Sequence, residues 1–146
     1  YYKKEYPELR AKASYIDWNI GGDGNKMFLP AMKSDITLTY GVRTLIIDTK
    51  YYQRSMQTHT LFDSTTLISG NLYQIFTYVK NKDKSNSGNV SGLLLYAKTA
   101  EEITPDNEYI MGGNHISVKT LNLNSEWENI KRQLDNIAAD LVNKKG

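Results

Sequence analysis

Two uninterrupted apolar triplets, Leu45-Ile46-Ile47 and Leu93-Leu94-Leu95, constrain this chain more than any other feature in it. Consecutive apolar residues in a strand point to both faces of a sheet, so each triplet reads as an interior strand that needs cover on both sides. Two amphipathic segments can supply that cover. Ile68, Leu72, Ile75, Phe76 and Val79 recur at helical spacing within Leu67 to Lys80, and Trp127, Ile130, Leu134, Ile137, Ala138 and Leu141 make a second apolar stripe. The expected fold is therefore a mixed α/β sheet flanked by α-helices. At 146 residues it forms one domain, 1–146.

Turn chemistry supplies the remaining boundaries. Tyr1 to Arg10 reads as the end of a helix stopped by Pro7. Tyr15, Ile16, Trp18 and Ile20 suggest a strand over Ala11 to Ile20, closed by the turn signal Gly21-Gly22-Asp23-Gly24-Asn25. Ser34 to Tyr40 and Arg43 to Tyr52 predict a hairpin about Gly41-Val42, with glycine first in a type II′ loop. Polar Gln53 to Thr65 reads as a mobile loop and Asn81 to Asn89 as a linker. Gly92 to Ala97 is a buried strand, and Ile116, Val118 and Leu121 mark another after Gly112-Gly113. Ser125 with Glu128 predicts a capping box for the last helix.

Composition narrows the function classes. An apolar fraction of 40% with 23% charged residues excludes a disordered tail, a collagen-like chain and a membrane span. Eighteen Lys and Arg against sixteen Asp and Glu leave a net charge of +2, too little to attract nucleic acid by bulk field alone. The absence of cysteine excludes a disulfide scaffold, a thiolate zinc site and a cysteine nucleophile, and fits a reducing, cytoplasmic setting. No secretory signal opens the chain, which begins at Tyr1 rather than Met and so reads as a piece of a longer protein. No P-loop motif occurs, so any nucleotide hydrolysis falls to a partner.

The chemistry concentrates in Asp48-Thr49-Lys50, at the end of the first apolar triplet. Residues two apart in a strand share a face, so this carboxylate and ammonium point to one place, where charged groups rarely lie without partners. A two-residue Gly41-Val42 loop sets Asp35 directly opposite Asp48; a three-residue loop would send the two acids to opposite faces. Facing carboxylates destabilise a sheet unless a cation lies between them, and a hard oxygen pair suits Mg²⁺. On spacing alone, an ordinary Asp48–Lys50 ion pair on a surface hairpin is the competing reading.

Three segments carry a resemblance: Leu29-Pro30-Ala31-Met32-Lys33-Ser34-Asp35-Ile36, Thr44-Leu45-Ile46-Ile47-Asp48-Thr49-Lys50-Tyr51-Tyr52 and Asn71-Leu72-Tyr73-Gln74-Ile75-Phe76-Thr77-Tyr78. Together they resemble the PD-(D/E)xK nucleases of restriction-endonuclease-like fold. More narrowly, they resemble the C-terminal nuclease part of McrC, the cleaving subunit of McrBC 5-methylcytosine restriction systems, and the likeness covers essentially the whole chain. The resemblance implies a DNA endonuclease that hydrolyses phosphodiester bonds with Mg²⁺, or Mn²⁺ in its place. It implies Asp35 and Asp48 as metal ligands, Lys50 and Gln74 as further catalytic residues, and Tyr73 in support. It also implies double-stranded DNA as substrate, a GTP-hydrolysing McrB-like partner that recruits the domain, and a higher assembly. The usual proline before the first acid is Ser34 here. An acid on the first helix, common in the wider fold, is expected upstream of Tyr1, with Glu5 and Glu8 as substitutes. A non-cleaving protein- or DNA-interaction module on the same scaffold is the alternative.

Gln74 stands out independently of the family. It lies roughly 160° around the helix from Leu72, so packing does not hold it and it faces water or a cleft. Tyr73 flanks the stripe. Arg54, just after the charged strand, is the first choice for a further basic contact to DNA. His59 and His115 lack metal-ligand spacing and read as solvated or structural. Lys80, Lys82 and Lys84 read as a solvated charge run, with contact to the phosphate backbone beside the helix end as the alternative.

Overall fold

The computed structural model describes residues 1–22, 24–51, 56–59, 64–67, 69–98 and 105–144. Its centre is a five-stranded sheet built on the two apolar triplets. The strands are β1 (Tyr15–Ile16), β2 (Met32–Lys33), β3 (Ile36–Tyr40), β4 (Arg43–Tyr51), β5 (Met56–His59), β6 (Ser64–Leu67), β7 (Val90–Lys98), β8 (Asn107–Met111) and β9 (Asn114–Asn122); the helices are α1 (Tyr2–Glu5), α2 (Ser69–Lys82) and α3 (Trp127–Asn143). The main sheet runs β3-β4-β7-β9-β8, with β4 to β7 and β7 to β9 parallel and the outer pairs antiparallel. No described helix is long and apolar enough to cross a membrane.

Consecutive residues of each triplet serve opposite faces. Ile46 and Leu94 join Ile75, Tyr78 and Val79 of α2 in one core. Ile47, Leu93 and Leu95 join Ile137, Ala138 and Leu141 of α3 in the other, together with Tyr2 and Leu9 from the N-terminal segment. Two tyrosines fasten that segment to α3, the Tyr2 hydroxyl donating to Leu134 O at 3.0 Å and the Tyr6 hydroxyl to Asp135 Oδ1 at 2.7 Å. Gly92 is where α2 comes closest to the sheet. A Cβ there would lie 2.7 Å from Ile75 Cγ1 and 2.8 Å from Val79 Cγ2, so only glycine admits the helix at this height.

The hairpin forms in the expected register. Ile36 pairs with Ile47 and Tyr40 with Arg43, leaving Gly41-Val42 as the loop, and Gly41 carries the positive φ of 58° that the first loop position demands. Several boundaries differ from expectation. The strand expected over Ala11 to Ile20 is broken into an isolated bridge between Lys12 and Thr37 and a two-residue pairing of Tyr15–Ile16 with β2, which begins just after Pro30, a residue with no N–H to extend the ladder. Trp18 instead sends its indole N–H to Pro30 O at 2.7 Å. The stretch read as a loop contains the antiparallel pair β5–β6, which places His59 in a strand. Its Thr-rich sequence has β propensity without an apolar face, and so escaped a reading based on alternation. Strand β8 escaped likewise, since four of its five residues are exposed at the sheet edge. The capping box does not form: Glu126 is the N-cap, Ser125 Oγ donates back to Asn122 O at 2.8 Å, and Trp127 is exposed rather than part of the core stripe.

The segment expected to be a linker is wound about a buried carboxylate. Asp83 accepts hydrogen bonds from Ser87 N at 2.9 Å, Ser87 Oγ at 2.7 Å, Gly88 N at 2.9 Å and Asn114 Nδ2 at 2.9 Å. Lys80 is tied into the same region through Gly112 O at 2.8 Å and Asn114 Oδ1 at 3.0 Å, so it is a structural residue and not part of a solvated run. Burial alone would raise the Asp83 pKa, but the donors from Asn114, Ser87 and the Gly88 and Ser87 amides outweigh it and hold the group at about 2. A depressed folded pKa contributes stability that is present above the unfolded carboxylate range and lost as pH falls toward the folded value. Asp83→Ala should therefore lower stability by about 2–4 kcal/mol at neutral pH. Its deficit should shrink between about pH 4 and pH 2, as followed by denaturant titration across that range.

Candidate active site

The Ile46 face of β4 runs out of apolar residues at Asp48, beneath the N-terminal half of α2. Asp48 is 4% exposed. Two residues on, on the same face, Lys50 returns its ammonium to within 3.0 Å of Asp48 Oδ2. The ammonium donates to Gln74 Oε1 at 3.1 Å, and Gln74 Nε2 in turn donates to the Tyr78 hydroxyl at 2.9 Å. Gln74 is thus turned to the cleft, as its helical angle suggested. Asp35, one residue before β3, reaches across to the end of β4, where Oδ2 accepts from Thr49 N at 2.8 Å and Thr49 Oγ1 at 2.9 Å.

Asp35, Asp48, Lys50 and Gln74 therefore come together around the end of β4. Their electrostatics are those of a strained acidic pair. Burial raises the Asp48 pKa above the ordinary carboxylate value, the Lys50 ammonium opposes that rise, and the Asp35 carboxyl adds to it. Asp48 Oδ2 is buried, and the Lys50 ammonium at 3.0 Å is the partner that offsets its charge. A buried carboxylate oxygen beside a second acid fits a divalent cation, which takes one or two carboxylates and completes its shell with water and phosphate oxygens. The described residues hold no group of three or more acids and histidines arranged as a metal cage, so the cation would rest on Asp35 and Asp48.

Other sequence candidates divide. Tyr73 is 67% exposed on the outside of α2 and packs against neither core. Arg54 lies outside the described residues. Glu5 and Glu8 are exposed on the N-terminal segment, which packs through Tyr2 and Leu9 against the α3 face of the sheet, opposite to the face of Asp48. They do not replace an acid on the α2 side. His115 Nδ1 lies 2.7 Å from Glu108 Oε1, a structural pairing that Lys144 shares at 2.6 Å. A groove lined by Arg43, His115, Lys119 and Lys144 also lies on the α3 side, away from Asp48. Sequence reasoning missed Tyr78 as a site residue. The available signal was its i+4 spacing from Gln74, which places both on one helix face.

A mixed five-stranded sheet, flanked by helices, with Asp48 and Lys50 toward the end of the interior strand β4 and Asp35 just before the neighbouring β3, defines a restriction-endonuclease-like α/β fold. The chain is 30% identical over 138 residues, 90% of its length, to the type IV methyl-directed restriction enzyme EcoKMcrBC of Escherichia coli (strain K12), and spans 37% of that protein. No protein-family model matches the chain.

The raised Asp48 pKa has a stability consequence with a definite sign. A carboxyl that binds its proton more tightly when folded costs stability while ionised, and that cost disappears as pH falls below the folded pKa. Without divalent metal, Asp48→Asn should keep or raise stability at neutral pH by up to about 1 kcal/mol, the scale of an opposed like-charge pair. The difference should vanish on acidification. Thermal melts of both proteins in chelator over a pH series would reveal it.

Proposed function

We propose that this chain is a Mg²⁺-dependent DNA endonuclease domain of a 5-methylcytosine-directed restriction system, corresponding to the C-terminal nuclease part of McrC. The observation that carries the proposal is the buried Asp48 carboxylate, with the Asp35 carboxyl as a neighbour and the Lys50 ammonium 3.0 Å from its Oδ2. The similarity to a methyl-directed restriction enzyme supports the choice of DNA as substrate.

Asp35 and Asp48 would hold the ion. When bound, Mg²⁺ supplies Lewis-acid stabilisation of charge on the scissile phosphate and lowers the pKa of a coordinated water. Lys50 contributes a point charge whose direction is fixed, because Gln74 Oε1 takes one of its N–H groups and Asp48 holds it electrostatically. The remaining donors of the ammonium can meet a phosphate oxygen and stabilise charge that grows there during cleavage. Gln74 holds the lysine in this pose only while its own amide is oriented, and the Tyr78 hydroxyl fixes that orientation by accepting from Nε2. Tyr78 is 7% exposed within the α2 core, so the relay is anchored in packed structure.

Recruitment by a GTP-hydrolysing partner explains how a chain of net charge +2 acts on DNA, since phosphate neutralisation by such a surface gives weak non-specific affinity. A partner that holds the substrate supplies effective concentration and register. Asp48→Ala should abolish cleavage by the assembled complex while leaving the fold intact. The chain alone should nick plasmid poorly in Mg²⁺ or Mn²⁺ and gain activity only with the full-length protein and its GTP-hydrolysing partner on methylated DNA. A plasmid-nicking series over those conditions tests both statements. Cutting by the Asp48→Ala complex at the normal rate would refute the metal-site reading, and robust, salt-insensitive cutting of unmethylated plasmid by the chain alone would refute delegated recruitment.

A further inference from the structure

We infer that Thr49 is the positioning residue that holds the Asp35 carboxylate in place for a divalent cation, an inference that rests on the reading of Asp35 and Asp48 as metal ligands. The ladder between β3 and β4 ends at Ile36 and Ile47, and two residues further out Ser34 has left it, sending its amide to Ser14 O at 2.8 Å. Thr49, just past that end, finds its acceptor in a side chain. Its amide and its hydroxyl both donate to Asp35 Oδ2, at 2.8 Å and 2.9 Å, which leaves Oδ1 outside this pair of bonds.

This division of oxygens matters because Asp35 is exposed and has the Asp48 carboxyl as a neighbour. Repulsion and hydration would both turn an unrestrained Asp35 outward, away from Asp48. Two donors on one oxygen oppose that rotation and leave the other oxygen outside the bonds that hold the group. The β-branched threonine is suited to the task, since its χ1 is restricted in a strand and the hydroxyl does not have to be ordered afresh. Serine would keep the donor with more rotational freedom, and valine would keep the shape and the backbone N–H while removing the hydroxyl.

Binding of Mn²⁺ alone to this chain, followed by the electron paramagnetic resonance signal of the free ion, tests the inference without reference to cleavage. Wild type should bind, Asp48→Ala should not, Thr49→Val should bind about tenfold more weakly, and Thr49→Ser should recover most of the loss. Thermal midpoints of the two Thr49 variants in chelator should match wild type, because Thr49 is exposed. Wild-type affinity in Thr49→Val, or a loss that Thr49→Ser does not recover, would overturn the positioning role. Absence of Mn²⁺ binding by wild type, or equal binding by wild type and Asp48→Ala, would overturn the underlying metal reading instead.

Discussion

A carboxylate at the end of an apolar strand is costly to keep ionised, and much of this site can be understood as a response to that cost. Asp48 continues a face whose previous member, Ile46, is fully buried, and its parallel neighbour in register is Leu94. Water cannot solvate it well. The Lys50 ammonium is the nearest compensation, and it is itself only partly exposed, so it needs an acceptor, which Gln74 supplies. Gln74 then needs an acceptor for its amide, which Tyr78 supplies. Each polar group calls for the next until the series ends on a tyrosine packed into the α2 core. The Asp48 carboxylate still has the Asp35 carboxyl as a neighbour, and a cation between them would relieve both acids.

Much of this was legible in the chain. The triplets stated that the sheet is covered on both sides, and the Gly41-Val42 dipeptide fixed the register that decides whether Asp35 and Asp48 meet. Period-two alternation then placed Asp48 and Lys50 on a common face, and helical angle alone turned Gln74 from the core. What escaped has a common physical character. The sequences of β5 and β6 are polar and Thr-rich, and β8 is mostly exposed at the sheet edge, so alternation of hydropathy carried no trace of them. The Ser125–Glu128 pattern was present but unused, because the Ser125 hydroxyl found an acceptor in Asn122 O behind it. Lys80 looked solvated since its acceptors come from residues more than thirty positions away.

The two faces of the sheet divide the labour. The α2 face carries the charged cleft over its core, whereas the α3 face gathers the N-terminal segment, the Tyr2 and Tyr6 hydroxyl contacts and the Arg43 bond to Val142 O at 2.8 Å. Arg43 and Asp48 belong to the same strand, five residues apart. One end of β4 is therefore anchored to the C-terminal end of α3, and the other presents the acids.

Gly92 gives this arrangement its tolerance. Its partner across the parallel ladder is Ile46, two residues before Asp48, and the helix residues that rest on it, Ile75 and Val79, include the immediate neighbour of Gln74. The missing methyl group thus acts as a shim of zero thickness under α2. Thickening it would tip the helix about its seat and carry the Gln74 amide away from Lys50, although Gly92 itself touches neither charge. Alignment of the cleft is set from below by an atom that is not there, and a drift at this position would be felt first as a misplaced lysine and only afterwards as a loss of fold.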